Sequence, residues 1–434
     1  MLKEGYPQYE DLDLEREQAD RRHYEFPTLF EVSEDEGLEL YDKDIHITTF
    51  VTNKDQISLD NCRVVYNEES ESGAFILEPE TEFVAKDCVF ICSKFSENPL
   101  IKTKGANVTI SFENCLFVNC CSFISADDSA QVIFTDCEME NCYHDFAVCR
   151  NSYFEINRSK ILYTDEFVGD EAERRFNRAD VLIYTDECEG GMSYVQCVWD
   201  KNAGTLLYLK GLTVENCYFQ DMPFPLNECG KVKECMFTNC NGAVGSKYCR
   251  YGHGLTPNYT TDVVENCDFF CCSNTLHNVR QIKNCQFESN FGFVIRTKST
   301  GIVSNCYFKE IDGTDADDAL IIYPVSENMN VKIEKCVFED CNFGLNWCIG
   351  PHKNGVFVDK PKNPVVNIEM CSFKNCSAAD ELQGAFIYPG PLYKQRIFRD
   401  NKPVHGVIHI VDCSGTSENN PWSISEKLAL IKRM

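Results

Sequence analysis

The chain has 434 residues, 43% of them apolar and 25% charged, with a formal net charge of −27. This composition excludes wholesale disorder, because there is ample apolar surface to bury, and it excludes nucleic acid as a general partner, which needs a broad basic surface. No segment approaches the ~18 consecutive apolar residues of a membrane span, and the start, MLKEGYPQYEDLDLERE, has no apolar stretch like a secretory signal.

Residues 1–44 are an acidic N-terminal segment with fifteen Asp or Glu against five Lys or Arg. Within it, residues 8 to 25 read as a capping helix whose early acidic residues suit the positive end of the helix dipole. Residues 45–415 then repeat one short pattern. It runs DNCRV at Cys62, KDCVF at Cys88, ENCLF at Cys115, TDCEM at Cys137, INRSKI with Ser159 in the cysteine place, VQCVW at Cys197, ENCYF at Cys217, KECMF at Cys235, ENCDF at Cys267, KNCQF at Cys285, SNCYF at Cys306, EKCVF at Cys336, EMCSF at Cys371 and VDCSG at Cys413. Val108, Ile110 and Phe112, followed by Asn114, Cys115 and Phe117, give the alternation of a strand with one buried face, broken at the Asn. Asparagine tolerates a left-handed corner, and stacked amides can bond from coil to coil.

The shortest anchor spacings, 18 to 22 residues, fit one turn of a parallel β-helix and not the ~34 to 45 of α-solenoids. The expected fold is therefore all-β, a single right-handed parallel β-helix solenoid of about fourteen coils, a rod of very roughly 65 Å at ~4.8 Å per coil. Residues 416–434 read as a C-terminal capping helix, opened by a capping box at Ser423 to Glu426 and ending in Lys432 and Arg433. Helical caps at both ends would cover the exposed strand edges of a solenoid.

Twenty-seven cysteines would suggest disulfides in a short secreted chain, but here they follow the repeat. Stacked equivalent positions lie ~4.8 Å apart with parallel Cα–Cβ bonds, whereas a relaxed disulfide needs Cβ atoms ~3.8 Å apart. They read as core thiols in a reducing compartment, so the expected location is cytoplasmic, free or associated with a cytoskeletal or other assembly, with the cell surface as the alternative. Many coils carry a second cysteine, at Cys92, Cys120, Cys142, Cys240, Cys271 or Cys272, Cys341 and Cys376, while Cys149, Cys188, Cys229, Cys249 and Cys348 fall off the register. Linear columns of thiols do not supply four converging ligands, so no metal and no cofactor are expected.

The NCxFxxC coils resemble the right-handed β-helix repeats of the pectin-lyase-like superfamily, and above all its Cys-rich polymorphic outer membrane protein type repeats. The resemblance covers about residues 57 to 413 and implies the fold. It leaves function open among polysaccharide lyases and hydrolases, adhesins and inert scaffolds. The Gly-Gly-Ala-Ile segment usual in the adhesin repeats survives only as GAFI at Gly73 and Gly384.

Four long intervals should leave the solenoid as loops, at about 164–180, 243–262, 348–364 and 389–403. The last three hold Lys247, Arg250, Lys353, Lys360, Lys362, Lys394, Arg396, Arg399 and Lys402 against Asp262, Asp359 and Asp400, with Tyr251, Trp347, Tyr388 and Tyr393 in or beside them. The expected binding face is thus Lys353, Lys360, Lys362, Tyr393, Lys394, Arg396, Arg399 and Lys402, suited to an acidic protein partner, with a glycan possible. Gly252-His253-Gly254 followed by Arg296-Thr297-Lys298 resembles the motifs of polygalacturonase-like hydrolases, which makes His253, Arg296, Lys298 and Asp315 the catalytic candidates. The carboxylate motifs those enzymes carry upstream do not precede His253, and Asp315 follows Arg296 instead. The leading expectation is therefore a non-enzymatic scaffold presenting side loops to protein partners. The alternatives are a carbohydrate-active β-helix, as a polygalacturonase-like hydrolase or glycan binder, and a cell-surface adhesin-type repeat protein.

Overall fold

The computed structural model describes residues 38–47, 51–53, 56–66, 73–93, 98–163, 181–199, 206–222, 225–245, 261–273, 275–277, 279–291, 294–297, 301–311, 320–322, 330–341, 345–347, 365–376, 387–389, 407–416 and 430–433. They form a right-handed parallel β-helix, in two compact units, Met1–Cys229 and Gly230–Met434. Among the described residues all secondary structure is strand, and no helix is long and apolar enough to cross a membrane.

Each coil of the N-terminal unit contributes one strand to each of three parallel sheets. Thr109–Glu113 lies in the first, Leu116–Val118 in the second and Ile124–Ala126 in the third. Each pairs in register with its equivalents one coil before and one coil after. The C-terminal unit repeats the plan, with a third sheet of five strands from Leu276–His277 to Ile387–Pro389.

The corner between first and second sheets is the Asn-Cys element of the sequence. Asn61, Asp87, Asn114, Asp136, Arg158, Asn216, Asn266, Asn284 and Asn305 all take φ between 47° and 55°, the left-handed region that Asn and Asp enter at least cost. The next residue points inward. Its thiol donates to the carbonyl two residues back and to one in the preceding coil: Cys115 Sγ reaches Glu113 O at 3.3 Å and Ala85 O at 3.4 Å. Ser159 occupies this place with the same chemistry, donating to Asn157 O at 2.8 Å and accepting from Cys137 N at 3.0 Å. Outside the corner, Asn114 Nδ2 donates to Asp87 Oδ1 at 2.5 Å and Asn61 Nδ2 to Asp42 Oδ1 at 2.5 Å, the coil-to-coil column of polar side chains.

The second corner uses the same device at Asn119-Cys120, Asn141-Cys142, Asn239-Cys240 and Asn375-Cys376. Of the Cys271-Cys272 pair, Cys272 enters the buried column, donating to Phe237 O at 3.5 Å, while Cys271 takes the left-handed place at φ 52° and is exposed.

Several expectations need correction. In VQCVW the inward corner residue is Val195, because Tyr194 holds the left-handed place; Cys197 lies two positions on, beside Ile161 and Phe219 in the phenylalanine column. The C-terminal helical cap is not formed where the chain is described: Leu430–Arg433 is a strand that extends the first sheet by pairing with Val407–Val411. As a strand these residues find backbone partners in the ladder, whereas a helix of so few residues closes almost no hydrogen bonds of its own. The helix at 8–25 and the capping box at Ser423 to Glu426 lie outside the described residues, and the described strands begin at Leu38–Tyr41, inside the acidic segment.

Candidate functional site

The site residues expected from sequence lie almost wholly outside the described residues. That holds for His253, Lys298 and Asp315, and for Lys353, Lys360, Lys362, Tyr393, Lys394, Arg396, Arg399 and Lys402. Arg296 is in the strand Ile295–Thr297, paired with His277 and Ile321. The loops at 164–180 and 348–364 are likewise outside, and the interval 243–262 ends in the strand Thr261–Glu265.

A different group of side chains comes together on the outward face of the third sheet in the N-terminal unit. Strands Ala147–Arg150, Val181–Asp186, Leu206–Leu209 and Leu226–Asn227 lie side by side in that order. Their register places Arg150 beside Asp186, Tyr184 beside Tyr208, and Tyr208 beside Asn227. Because strand residues alternate between faces, Tyr184 and Asp186 project outward while Ile183 and Thr185 are buried.

The third corner supplies the other members. Asn151, Glu187 and Glu228 turn the chain back toward the first sheet at φ 48°, 53° and 56°. Each is followed by an inward polar residue, Ser152, Cys188 or Cys229, which donates to the carbonyl two residues before it. The off-register Cys188 and Cys229 thus belong to a column of their own. The left-handed corner carries the Glu228 carboxylate outward beside Tyr208.

The resulting group is tightly interlocked. The rings of Tyr184 and Tyr208 stack at 4.9 Å with planes 10° apart, and the Arg150 guanidinium lies 5.7 Å from the Tyr184 centroid on its other side. The Tyr208 hydroxyl donates to Glu228 Oε2, and Lys210 Nζ holds Asp186 Oδ1 at 2.5 Å. Burial pushes the Glu228 carboxyl above the usual carboxylate range, aided by the nearby Asp186 charge and opposed by the Tyr208 hydrogen bond and the Lys210 ammonium. Burial likewise raises the Tyr184 phenol. Beside Lys210 the backbone is open, since a Cβ added at Gly211 would meet nothing within 4 Å. Because the Tyr184 faces are engaged by Arg150 and Tyr208, a ligand meets ring edges, hydroxyls and charged heads.

Chemically, the group offers two carboxyl groups in different settings. Asp186 and Glu228 stand two strands apart in the stack, roughly 9.6 Å between their backbones. Among the described residues, no group of three or more His, Cys, Asp or Glu could hold a metal ion. No sequence motif announces this site, because its members come from four coils. The Glu-Cys pairs Glu187-Cys188 and Glu228-Cys229 form its corners, but Glu234-Cys235 forms a first corner with the same two residues, so the dipeptide does not single the site out.

No protein-family model matches the chain, and no curated protein matches it. Solved structures of similar fold include the catalytic domain of a GH87 alpha-1,3-glucanase in complex with nigerose, at 8% identity over 89% of this chain and 64% of that domain, with a TM-score of 0.37. They also include the polygalacturonase from Erwinia carotovora ssp. carotovora, at 8% identity over 93% of this chain and 99% of that one, TM-score 0.25. A third is endopolygalacturonase I from Stereum purpureum, complexed with two galacturonate, at 8% identity over 89% and 98%, TM-score 0.24. The chain spans 64% of the length of the glucanase domain. The likeness is one of fold. These neighbours are carbohydrate-active enzymes, and the expectation of a non-enzymatic scaffold for protein partners is withdrawn. That expectation leaned on missing linear carboxylate motifs, whereas a solenoid assembles carboxylates across coils.

Proposed function

We propose that this chain is a carbohydrate-active β-helix that binds a polysaccharide along the outward face of the third sheet in its N-terminal unit. The observation that carries the reading is the interlocked group Tyr208, Glu228, Asp186 and Lys210, a cluster of ordered donors and acceptors on a rigid sheet with open space beside it. Sugar hydroxyls both donate and accept, and such planar or charged side chains, held in place by one another, bind them without a large ordering cost. Affinity electrophoresis through gels containing different polysaccharides tests it. The expected result is retardation by at least one polysaccharide, lost in Tyr208→Phe together with Glu228→Gln; free migration in every gel refutes the reading.

The raised Glu228 carboxyl favours hydrolysis as a second reading. A carboxyl that burial shifts toward its protonated form suits a general acid, and a second carboxylate two coils away suits a base. Glu228 would give its proton to the glycosidic oxygen as the C–O bond breaks. Asp186 would take a proton from the water whose oxygen bonds to the anomeric carbon. Reducing-end release from whichever polysaccharide is retained should fall by about 10²-fold or more in Glu228→Gln. Equal release by the variant rules out that role, and absence of release leaves binding as the function.

A further inference from the structure

The Tyr184–Tyr208 pair stands at one end of a longer row. Glu78, Lys104, Asp127, Arg150, Asp186 and Lys210 occur once per coil, one after another, and their sign alternates without exception. Each cation has a carboxylate in the coil before it: Lys104 Nζ lies 3.7 Å from Glu78, Arg150 3.4 Å from Asp127, and Lys210 2.5 Å from Asp186. The row itself carries three carboxyl groups and three cations, and Glu228 adds a carboxyl at the corner beside Tyr208. We infer that the polysaccharide bound along this row is uncharged. The inference rests on the carbohydrate-active reading above and names its substrate class.

Three physical points lead there. Every cation in the row already has a carboxylate beside it, and Arg150 an aromatic face as well, so a uronate or sulfate drawn to a cation meets that carboxylate's charge at the same time. A chain of like charges laid along the row, of either sign, passes a group of its own sign at every second coil, ~10 Å apart and at contact distance, where salt screens little. Hydroxyl groups do not meet this conflict. One hydroxyl donates to Asp127, Asp186 or Glu228 and accepts from Arg150 or Lys210, so alternating donors and acceptors suit adjacent hydroxyls on an uncharged sugar chain. The formal charge of −27 adds a general repulsion against polyanions.

The test is a polysaccharide array probed with the full chain, spanning uncharged glucans, xyloglucan and galactomannan, the polyuronates polygalacturonate and alginate, sulfated carrageenan, and cationic chitosan. Binding to uncharged members only is expected, changing less than about threefold between 0.05 and 0.5 M NaCl because few counterions are released. It should weaken at least about tenfold in Tyr208→Phe/Glu228→Gln, two donor or acceptor groups being removed. A preference for a polyuronate, carrageenan or chitosan, falling steeply with salt, overturns the inference and leaves the carbohydrate reading standing. Binding to uncharged members that the double variant does not disturb places the contact elsewhere and also overturns it. Silence across the whole array overturns the carbohydrate reading itself. Asp127→Asn supplies a separate arm: by releasing Arg150 from its partner it should create polygalacturonate binding at 0.05 M NaCl that the parent lacks, and no gain counts against the account of engaged cations.

Discussion

Asn114, Asp136, Arg158 and Met370 share one backbone state at the first corner, although only Asn and Asp reach it cheaply. The residue that follows meets two carbonyls turned toward the core in a small space, which favours a donor there, although Val195 fills the place without one. Cys and Ser meet both demands, and Ser159 demonstrates the exchange. Cys137→Ser is therefore expected to cost less stability than Cys137→Val, within ~1 kcal/mol against about 1–3 kcal/mol, although valine is the closer match in hydrophobicity. Urea unfolding of the two variants decides it, and the opposite order would mean that packing alone sets the residue. A second prediction concerns Tyr153, whose hydroxyl donates to Glu155 Oε2 at 2.5 Å; that bond, with burial, pushes the phenol up to about 12. Its folded value lies above the ordinary ~10, so the pair adds stability below pH ~10 that is lost as pH rises through about 12. Comparing parent and Tyr153→Phe by chemical unfolding from pH 9 to 12 should show their difference shrinking across that window.

At the level of the strand, the Cys-x-Phe spacing was readable because it is local: two residues on one strand, repeated at each coil. In the C-terminal unit it delivers Phe237, Phe269, Phe287, Phe308, Phe338 and Phe373 as one file of rings, 4.6–5.0 Å apart and within 8° of parallel. In the N-terminal unit the rings mix stacked and edge contacts, as Phe117 does with Phe90 and Phe123. Phe308→Ala should cost about 3–5 kcal/mol. Because a coil meets only its neighbours, lost amide protection should centre on the strands holding Phe287 and Phe338, which hydrogen exchange resolves. Uniform loss along the unit would contradict a nearest-neighbour core. The same locality explains the misplacement at Cys197. The strand pattern permits a cysteine at either inward position, and only the left-handed Tyr194 shows which one follows the corner. The Tyr184, Tyr208 and Glu228 group was not readable at all, since it depends on how many residues each coil spends between corners.

Across the molecule, twenty-five described cysteines are free thiols, and of these Cys271 alone is exposed, with Cys188 and Cys413 half-buried. Burial raises the thiols of Cys88, Cys115 and Cys149 well above their ordinary range, which leaves almost no thiolate to react. Peptide mapping after brief iodoacetamide treatment of the native protein should find Cys271 modified first among the described cysteines, then Cys188 and Cys413. Rapid modification of Cys115 would show that the core opens.

The corners also differ in how much chain they use. In the N-terminal unit the passage from first to second sheet takes two residues, as at Asn114-Cys115 and Asp136-Cys137, and the return from third to first takes two to five, as at Asn151-Ser152 and Lys104–Val108. The passage from second to third runs from three residues after Ile47 to seventeen after Tyr163. Gene-level insertions have accordingly one tolerated address per coil, and a reading frame can lengthen there without shifting any sheet out of step. A short epitope spliced between Val118 and Ile124 should be accepted, whereas the same splice between Glu113 and Leu116 should abolish folding, a contrast that soluble expression would reveal.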